Sequence, residues 1–286
     1  MDELDDLEVA PLAALDEPRA DVEGLVLANE PVPLELLPSL RIVANYGVGF
    51  DRVDVAACVA QGVVVTNTPG VLDDATADLA FALLLATRRH VVEGDRFVRA
   101  GEWTGSWSEG ALAEEVAGST LGIVGLGRIG SAVARRAHGF SIRVLYTQRR
   151  RVETGLAEYR ELEDLFRESD LVSIHAPLTP DTAGLVDARL LSFLRDGACL
   201  VNTARGEIVD EDALVAELVS GRIRAGLDVF AHEPDVPAEL LGLPNVVLTP
   251  HLGSATRQTR ERMTRLVVDN LLVVERGQPP LTPVSP

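Results

Sequence analysis

The stretch TLGIVGLGRIG, residues 120–130, decides the fold. A short apolar run leads into three glycines, Gly125, Gly127 and Gly130, with G-x-G-x-x-G spacing. In a nucleotide-binding sheet the first glycine makes a tight turn, the second lets the backbone approach a pyrophosphate, and the following helix presents its N–H groups. Because the triplet alone also suits an ordinary strand-to-helix turn, its surroundings must decide between the two readings.

Short β-branched runs alternate with helical segments on both sides of this stretch. Strands are predicted before it in GLVLAN, RIVANYG and VVVTNTPG, and after it in IRVLYT, DLVSIHAP, ACLVNTARG, AGLDVF and VVLTPH. Helices are predicted at residues 33–40 (PLELLPSL), 73–90 and 254–277, among others. This alternation predicts parallel strands with right-handed crossovers. We therefore expect an α/β protein with two Rossmann-like or flavodoxin-like domains built on doubly wound parallel sheets.

The composition narrows the class of partner. The 286 residues include 44 acidic side chains and 26 basic ones, and every basic side chain is Arg, which gives a formal net charge of -18. So acidic a chain argues against nucleic acid as the main partner, because binding to phosphates needs a basic surface. Cys58 and Cys199 lack companions at metal-ligand spacing, so we expect buried free thiols in a reducing compartment and no metal site. The acidic N-terminus and the absence of apolar runs of about 18 residues predict no leader and no membrane span. We expect a cytoplasmic protein.

The residues after IRVLYT bear on cofactor choice. NAD-binding sites usually place an acid after this second strand, where it bonds the adenosine ribose. This chain has Gln148, followed by Arg149, Arg150 and Arg151. A neutral amide with neighbouring guanidinium groups suits a 2′-phosphate, so the sequence predicts NADP(H) over NAD(H). An exposed basic turn without a ligand is the alternative.

Three chemically useful side chains each follow a predicted strand: Arg205, Glu233 and His251. The carboxyl ends of parallel strands are where such sheets place their active sites. For carbonyl reduction, His251 would donate the proton, Glu233 would stabilise the charged imidazole, and Arg205 would hold the substrate and polarise its carbonyl. Taken singly, each residue is also compatible with an exposed turn or loop charge.

Several motifs resemble one family, the D-isomer-specific 2-hydroxyacid dehydrogenases. They are NYGVGFDRVDVAA, GVVVTNTPGVLDDATADLAFALLLA, TLGIVGLGRIG, HAPLTPDT, LVNTARGEIVDEDAL, AGLDVFAHEP and TPHLGSAT, and they extend from about Asn45 to the C-terminus. TNTPGVL and TPHLGSAT are most similar to the glyoxylate/hydroxypyruvate reductase branch. That branch commonly prefers NADPH and has arginines after its second strand, which agrees with the interpretation of residues 148–151.

The resemblance implies roles for individual residues. Arg205, Glu233 and His251 would form the catalytic set, with Arg205 and His251 also contacting substrate. The other expected contacts are Val48 and Gly49, through backbone N–H groups, with the substrate carboxylate; Arg128 and Ile129 with the pyrophosphate; and Thr203 and Asp228 with the nicotinamide. His175 is expected to line the cofactor cleft structurally.

The resemblance also implies a domain arrangement. Residues 1–90 with 258–286 would form a substrate-binding domain and residues 91–257 the dinucleotide-binding domain, with the active site in the cleft between them. A homodimer would form through the cofactor domain, with the arm at residues 101–115 contributing. The family has a further strand and helix before the segment equivalent to LEVAPL, so we expect the substrate-binding domain to lack an edge strand.

The leading hypothesis is an NAD(P)H-dependent reductase of a small 2-oxo acid, of the glyoxylate or hydroxypyruvate type, that makes the D-2-hydroxy acid. One alternative is an NAD-dependent D-2-hydroxyacid dehydrogenase acting on phosphoglycerate or lactate. A formate dehydrogenase fits less well, because that branch pairs its histidine with Gln where this chain has Glu233. From another class, a dinucleotide-sensing, corepressor-like binding protein would keep the same fold and triad.

Overall fold

The structure, a computed structural model, describes residues 15–105 and 112–285. The chain divides into two units, a smaller one within Met1–Pro69 and Glu261–Pro286 and a larger one within Gly70–Arg260. The segment LEVAPL and part of the expected dimer arm, residues 106–111, lie outside the described residues. Both units consist of parallel strands with connecting helices, so the predicted α/β class is confirmed.

The smaller unit is built on a parallel sheet with its own apolar core, which includes Leu25, Val43 and Val65. Among the described residues its elements are β1 (Gly24–Leu27), β2 (Ile42–Asn45), α1 (Val55–Ala60) and β3 (Val64–Thr66), with strand order β1-β2-β3. The Pro-rich C-terminal segment joins this sheet, because Val284 N–H donates to Val65 O at 2.9 Å. The predicted helix at PLELLPSL is only a 3-10 turn, Leu34–Leu36, since Pro38 disfavours helical geometry at Leu37.

The larger unit holds most of the helices and strands. In chain order they are α2 (Asp73–Arg88), α3 (Val91–Arg99), β4 (Thr120–Val124), α4 (Arg128–His138), β5 (Arg143–Thr147), β6 (Glu158–Tyr159), α5 (Leu162–Glu168), β7 (Leu171–Ile174), α6 (Ala188–Leu191), β8 (Cys199–Asn202), α7 (Glu211–Val219), β9 (Arg224–Leu227) and β10 (Val246–Leu248). The long helix α8 (Arg257–Glu275) begins in this unit and ends in the smaller one.

The sheet of the larger unit has the doubly wound order that the sequence predicts. Seven strands within the described residues run β10-β9-β8-β7-β4-β5-β6, and every adjacent pair is parallel. The direction of winding reverses between β4 and β7, which is where such sheets bind nucleotides. Strand β6 is not among the predicted strands, because two residues are too few to show a strand pattern.

Helix α2 decides where the division between the units falls. Gly226 of β9 has no side chain, and a Cβ there would lie 2.9 Å from Leu83 Cβ and 3.0 Å from Thr87 Oγ1. This close packing buries α2 against the larger sheet. The division therefore comes before this helix, at Pro69–Gly70, rather than after it at residue 90 as the sequence analysis expected.

Candidate active site

The glycine turn after β4 has the shape of a phosphate-binding loop. Gly125 has φ +96, and a Cβ there would lie 2.8 Å from the carbonyl oxygen of His175. A Cβ on Gly130 would lie 2.1 Å from Gly125 O, so only glycine lets α4 approach the turn. At Gly127 a Cβ would meet no atom within 4 Å, and the residue caps α4 without a side-chain hydrogen bond. Open space and uncapped helical N–H groups, including those of Arg128 and Ile129, fit a pyrophosphate.

The turn after β5 is tied to the glycine turn through Gln148. The Gln148 Oε1 atom accepts from Leu126 N–H at 3.2 Å, and Nε2 donates to Arg150 O at 2.6 Å. The side chains of Arg149 and Arg150 are exposed and form no ion pair or side-chain hydrogen bond with any residue that the structure describes. Two guanidinium groups are therefore available to an anion near the glycine turn.

Arg205 and Glu233 are brought together by a glycine. Gly206 follows Arg205, and a Cβ at Gly206 would lie 2.0 Å from Phe230 C and 2.2 Å from Ala231 N. The segment after β8 can therefore lie directly against the segment after β9 that leads to Glu233. Asn202 Nδ2 donates to Arg205 O at 2.8 Å and fixes the backbone, while the Arg205 side chain is half-buried.

His251 and Glu233 form the closest functional contact. His251 Nδ1 lies 2.8 Å from Glu233 Oε2, and Glu233 Oε1 accepts from Phe230 N–H at 3.0 Å. Burial alone would raise the pKa of Glu233, but the hydrogen bonds from His251 and Phe230 and the charges of His251 and Arg205 bring it below its ordinary value. Glu233 is therefore held ionised beside a half-exposed imidazole. The structure thus brings together the three residues that the sequence singled out.

Asp228 builds the turn that presents His251. Its buried carboxylate accepts from Thr249 Oγ1 at 2.6 Å, Leu252 N–H at 2.7 Å and Gly253 N–H at 2.9 Å. Its carbonyl accepts from His251 N–H at 2.9 Å, and His251 has the left-handed φ of +52 that non-glycine residues adopt at a cost of about 1–3 kcal/mol. Burial raises the pKa of Asp228, and the three hydrogen bonds limit that rise. Its expected contact with a nicotinamide stays a prediction.

Two further residues follow strands near the point where the sheet reverses direction. Thr203 follows β8, and its hydroxyl is buried without a hydrogen-bond partner among the described residues. Such an orphaned polar atom fits a ligand amide in this position. His175 follows β7, its Nε2 lies 2.8 Å from Ser173 Oγ, and burial lowers its pKa to about 4. The His175 ring is therefore neutral near pH 7, in agreement with a structural role.

In the smaller unit, the loop after β2 exposes backbone donors. Asn67 Nδ2 donates to Val48 O at 2.9 Å, and Asn45 Nδ2 donates to Gly49 O at 2.8 Å. The N–H groups of Val48 and Gly49 donate to no residue within the described ranges. Neither asparagine is among the predicted site residues, although each lies at or just after the end of a strand, β2 or β3, where amide side chains often hold turns.

The two cysteines and the helices add further facts. Cys58 and Cys199 are free and buried, as expected, and burial raises the pKa of Cys199 to about 12.

Within residues 15–105 and 112–285, no helix combines the length and apolar character needed to cross a membrane. The same ranges contain no cluster of three His, Cys, Asp or Glu side chains placed to hold a metal ion.

Comparison with known proteins places this geometry in a family. Residues 81–253 match the family described as D-isomer specific 2-hydroxyacid dehydrogenase, NAD binding domain. The chain is 51% identical over 278 residues to a glyoxylate reductase of Pyrococcus horikoshii, covering 93% of this chain and 83% of that protein. It is 47% identical to a glyoxylate reductase of Thermococcus litoralis, covering 96% of this chain and 87% of that protein.

A solved structure agrees with these sequence comparisons. The NADPH-dependent glyoxylate/hydroxypyruvate reductase of Sinorhizobium meliloti, solved in complex with NADP and malonate, has a TM-score of 0.87 and 42% identity. The match covers 93% of this chain and 85% of that one. The motifs, the sheet order and these matches agree, and the chain belongs to the D-isomer specific 2-hydroxyacid dehydrogenase family.

Proposed function

We propose that this protein is an oxidoreductase that reduces a small 2-oxo acid, of the glyoxylate or hydroxypyruvate type, to the D-2-hydroxy acid. The observation that carries the proposal is the His251–Glu233 contact of 2.8 Å, with Arg205 on the neighbouring segment and the glycine turn in the same unit. The chain is 51% and 47% identical to two glyoxylate reductases, which supports this substrate class. The larger unit is proposed to bind the dinucleotide and the smaller one to supply substrate contacts.

Three side chains, His251, Glu233 and Arg205, would donate the proton and stabilise the charge that develops during reduction. When bound, a reduced nicotinamide supplies the hydride that reaches the carbonyl carbon. Since Nδ1 of His251 faces Glu233, Nε2 is the nitrogen left to donate a proton to the carbonyl oxygen. The ionised Glu233 stabilises the imidazolium before this transfer, and Arg205 stabilises the negative charge that develops on oxygen. Glu233 thereby orients and maintains the proton donor, and Arg205 lowers the barrier to reduction.

The smaller unit offers a site for the substrate carboxylate. The N–H groups of Val48 and Gly49 are proposed to donate to it, while Asn67 and Asn45 hold the carbonyls of the same residues. Backbone donors fixed in this way bind an anion without first having to be ordered. A carboxylate on the carbon next to the carbonyl is what a 2-oxo acid presents.

NADP(H) is the proposed cofactor in preference to NAD(H). The guanidinium groups of Arg149 and Arg150, which pair with no side chain in the described part of the chain, support this choice, as does the neutral Gln148 in place of an acid. An acid at that position would repel a 2′-phosphate, whereas guanidinium groups donate charge-assisted hydrogen bonds to it. The Sinorhizobium meliloti reductase was solved with NADP, which agrees with this assignment.

The alternatives have weaker support. An NAD-dependent dehydrogenase of phosphoglycerate or lactate would be expected to carry an acid where this chain has Gln148. A corepressor-like sensor would keep the same triad, so it is the sequence identity with glyoxylate reductases, and not the geometry of the site, that favours the enzyme. The steady-state rates with glyoxylate, hydroxypyruvate, pyruvate and phenylpyruvate, each with NADPH and NADH, separate these functions. We expect turnover of the first two acids. Cofactor binding without turnover of any of the four acids would refute the proposal that the protein is an enzyme.

Glu233→Gln should slow reduction, because it removes the charged partner of the proposed proton donor. The amide keeps the size of the side chain but replaces the carboxylate whose Oε2 lies 2.8 Å from His251 Nδ1. A hydrogen bond to a charged group contributes about 1.5–3 kcal/mol, so its loss should lower kcat/KM by roughly 10- to 150-fold. Glu239→Gln removes an exposed carboxylate from the following 3-10 turn and should leave kcat/KM unchanged. An unchanged kcat/KM in Glu233→Gln would contradict the role.

A homodimer through the cofactor-binding unit and a cytoplasmic location complete the proposal. The exposed apolar side chains Val91, Phe97 and Val98 of α3, with Trp103 just beyond it, support an interface on this unit. The free thiols of Cys58 and Cys199 support a reducing compartment.

A further inference from the structure

The turn that carries Arg149 and Arg150 is braced by a buried tyrosine. Tyr146 of β5 is 1% exposed, yet its hydroxyl reaches the backbone beyond the arginines. The hydroxyl accepts from Val152 N–H at 3.0 Å and donates to Val152 O, so one side chain satisfies both polar groups of that residue. The segment between Tyr146 and Val152 is therefore closed into a loop by a single hydroxyl.

A second tyrosine holds the third arginine of the run. The Tyr159 ring packs edge-on against Tyr146 with centroids 5.6 Å apart, and the Arg151 guanidinium lies 5.4 Å from the Tyr159 centroid. A cation near an aromatic face at this distance is attracted to it. Arg151 is thus engaged, whereas the side chains of Arg149 and Arg150 have no such partner among the residues that the structure describes.

We propose that Tyr146 is a positioning residue for recognition of the 2′-phosphate, and that Arg149 and Arg150, but not Arg151, contact that phosphate. The inference rests on the proposed NADP(H) preference. Gln148 closes the first half of the turn through Arg150 O, and Tyr146 closes the second half through Val152. A turn fixed at both ends loses less conformational entropy when its arginines order around an anion.

The test is Tyr146→Phe, which keeps the buried ring and removes only the hydroxyl. Binding of 2′,5′-ADP and of 5′-AMP is measured by calorimetry, since these ligands differ only in the 2′-phosphate. We expect the affinity for 2′,5′-ADP to fall about tenfold and that for 5′-AMP to stay unchanged. The KM for NADPH should rise by the same factor, with kcat at saturating NADPH and the KM for NADH unchanged. A merely structural role would weaken both ligands.

Two matched variants complete the design. Tyr159→Phe removes the hydroxyl of the neighbouring tyrosine, which bonds Glu161 Oε1 at 3.1 Å and not Val152, so it should leave both affinities unchanged. Arg151→Ala should also leave the preference for 2′,5′-ADP unchanged, and it decides the arginine assignment even if Tyr146→Phe fails to fold.

The outcomes separate this inference from the cofactor proposal. If the unaltered protein binds 2′,5′-ADP no better than 5′-AMP, the NADP(H) preference is wrong and the inference falls with it. If the unaltered protein prefers 2′,5′-ADP and Tyr146→Phe keeps that preference in full, or Arg151→Ala removes it, the positioning role alone is overturned.

Discussion

His251→Ala is expected to lower kcat for the reduction of glyoxylate by about 10²–10⁴, the loss that follows removal of a general acid. The His251 ring bonds Glu233 through Nδ1 and is half exposed, so Nε2 can reach a substrate oxygen. Affinity for NADPH should stay nearly unchanged, because the glycine turn and residues 148–150 are untouched. Single-turnover rates and cofactor titration by fluorescence would measure the two quantities separately.

His232→Ala is the matched control for this variant. His232 is exposed and directly precedes Glu233, so the change removes a neighbouring imidazole without removing the proposed proton donor. Its rate should equal that of the unaltered protein. Full turnover in His251→Ala would exclude the imidazole from the mechanism, and equal losses in the two variants would point to a disturbed loop instead.

Replacing both Arg149 and Arg150 with Ala is expected to reduce the preference for NADPH over NADH by a factor on the order of 10 to 1,000, because one or two hydrogen bonds to a charged group are lost, each worth about 1.5–2 kcal/mol at an exposed site. Both guanidinium groups are exposed and unpaired among the described residues, so their loss leaves no partner unsatisfied. The ratio of kcat/KM for the two cofactors is the measurement.

NADH serves as the internal control for the double variant. Because NADH lacks the 2′-phosphate, its kcat/KM should change little in the same protein sample. In the unaltered protein, the preference for NADPH over NADH should also shrink as salt is added, since exposed charge interactions are screened. An equal loss with both cofactors would mean that the two arginines do not meet a phosphate.

Much of the fold could be predicted from local sequence patterns. The β-branched runs, the helical segments and the G-x-G-x-x-G stretch predicted parallel strands and a nucleotide-binding turn, and the structure confirms the α/β class. Signals of this kind are readable because strand and helix periodicity and glycine positions are properties of neighbouring residues. The catalytic candidates could be chosen for the same reason, since each lies at the end of a predicted strand or a few residues beyond it.

Contacts across long sequence separations could not be predicted in this way. The burial of α2 against β9 depends on Gly226 meeting Leu83 and Thr87, which moves the division between units ahead of this helix. The resemblance to the family, likewise, implies for Asp228 only a contact with the nicotinamide. In the structure its carboxylate holds the turn from Thr249 to Gly253 that presents His251.

The sequence by itself determined the alternation of strands and helices, the glycine turn and the identity of Arg205, Glu233 and His251 as residues at strand ends. Only the tertiary structure decided that Glu233 bonds His251, that Asp228 supports the histidine turn, and that Tyr146 closes the arginine turn at Val152. The physical reason is that strand and helix periodicity depends on neighbouring residues in the sequence. The partners of polar side chains depend instead on the order of the strands in the sheet, which determines the strand ends that lie next to each other.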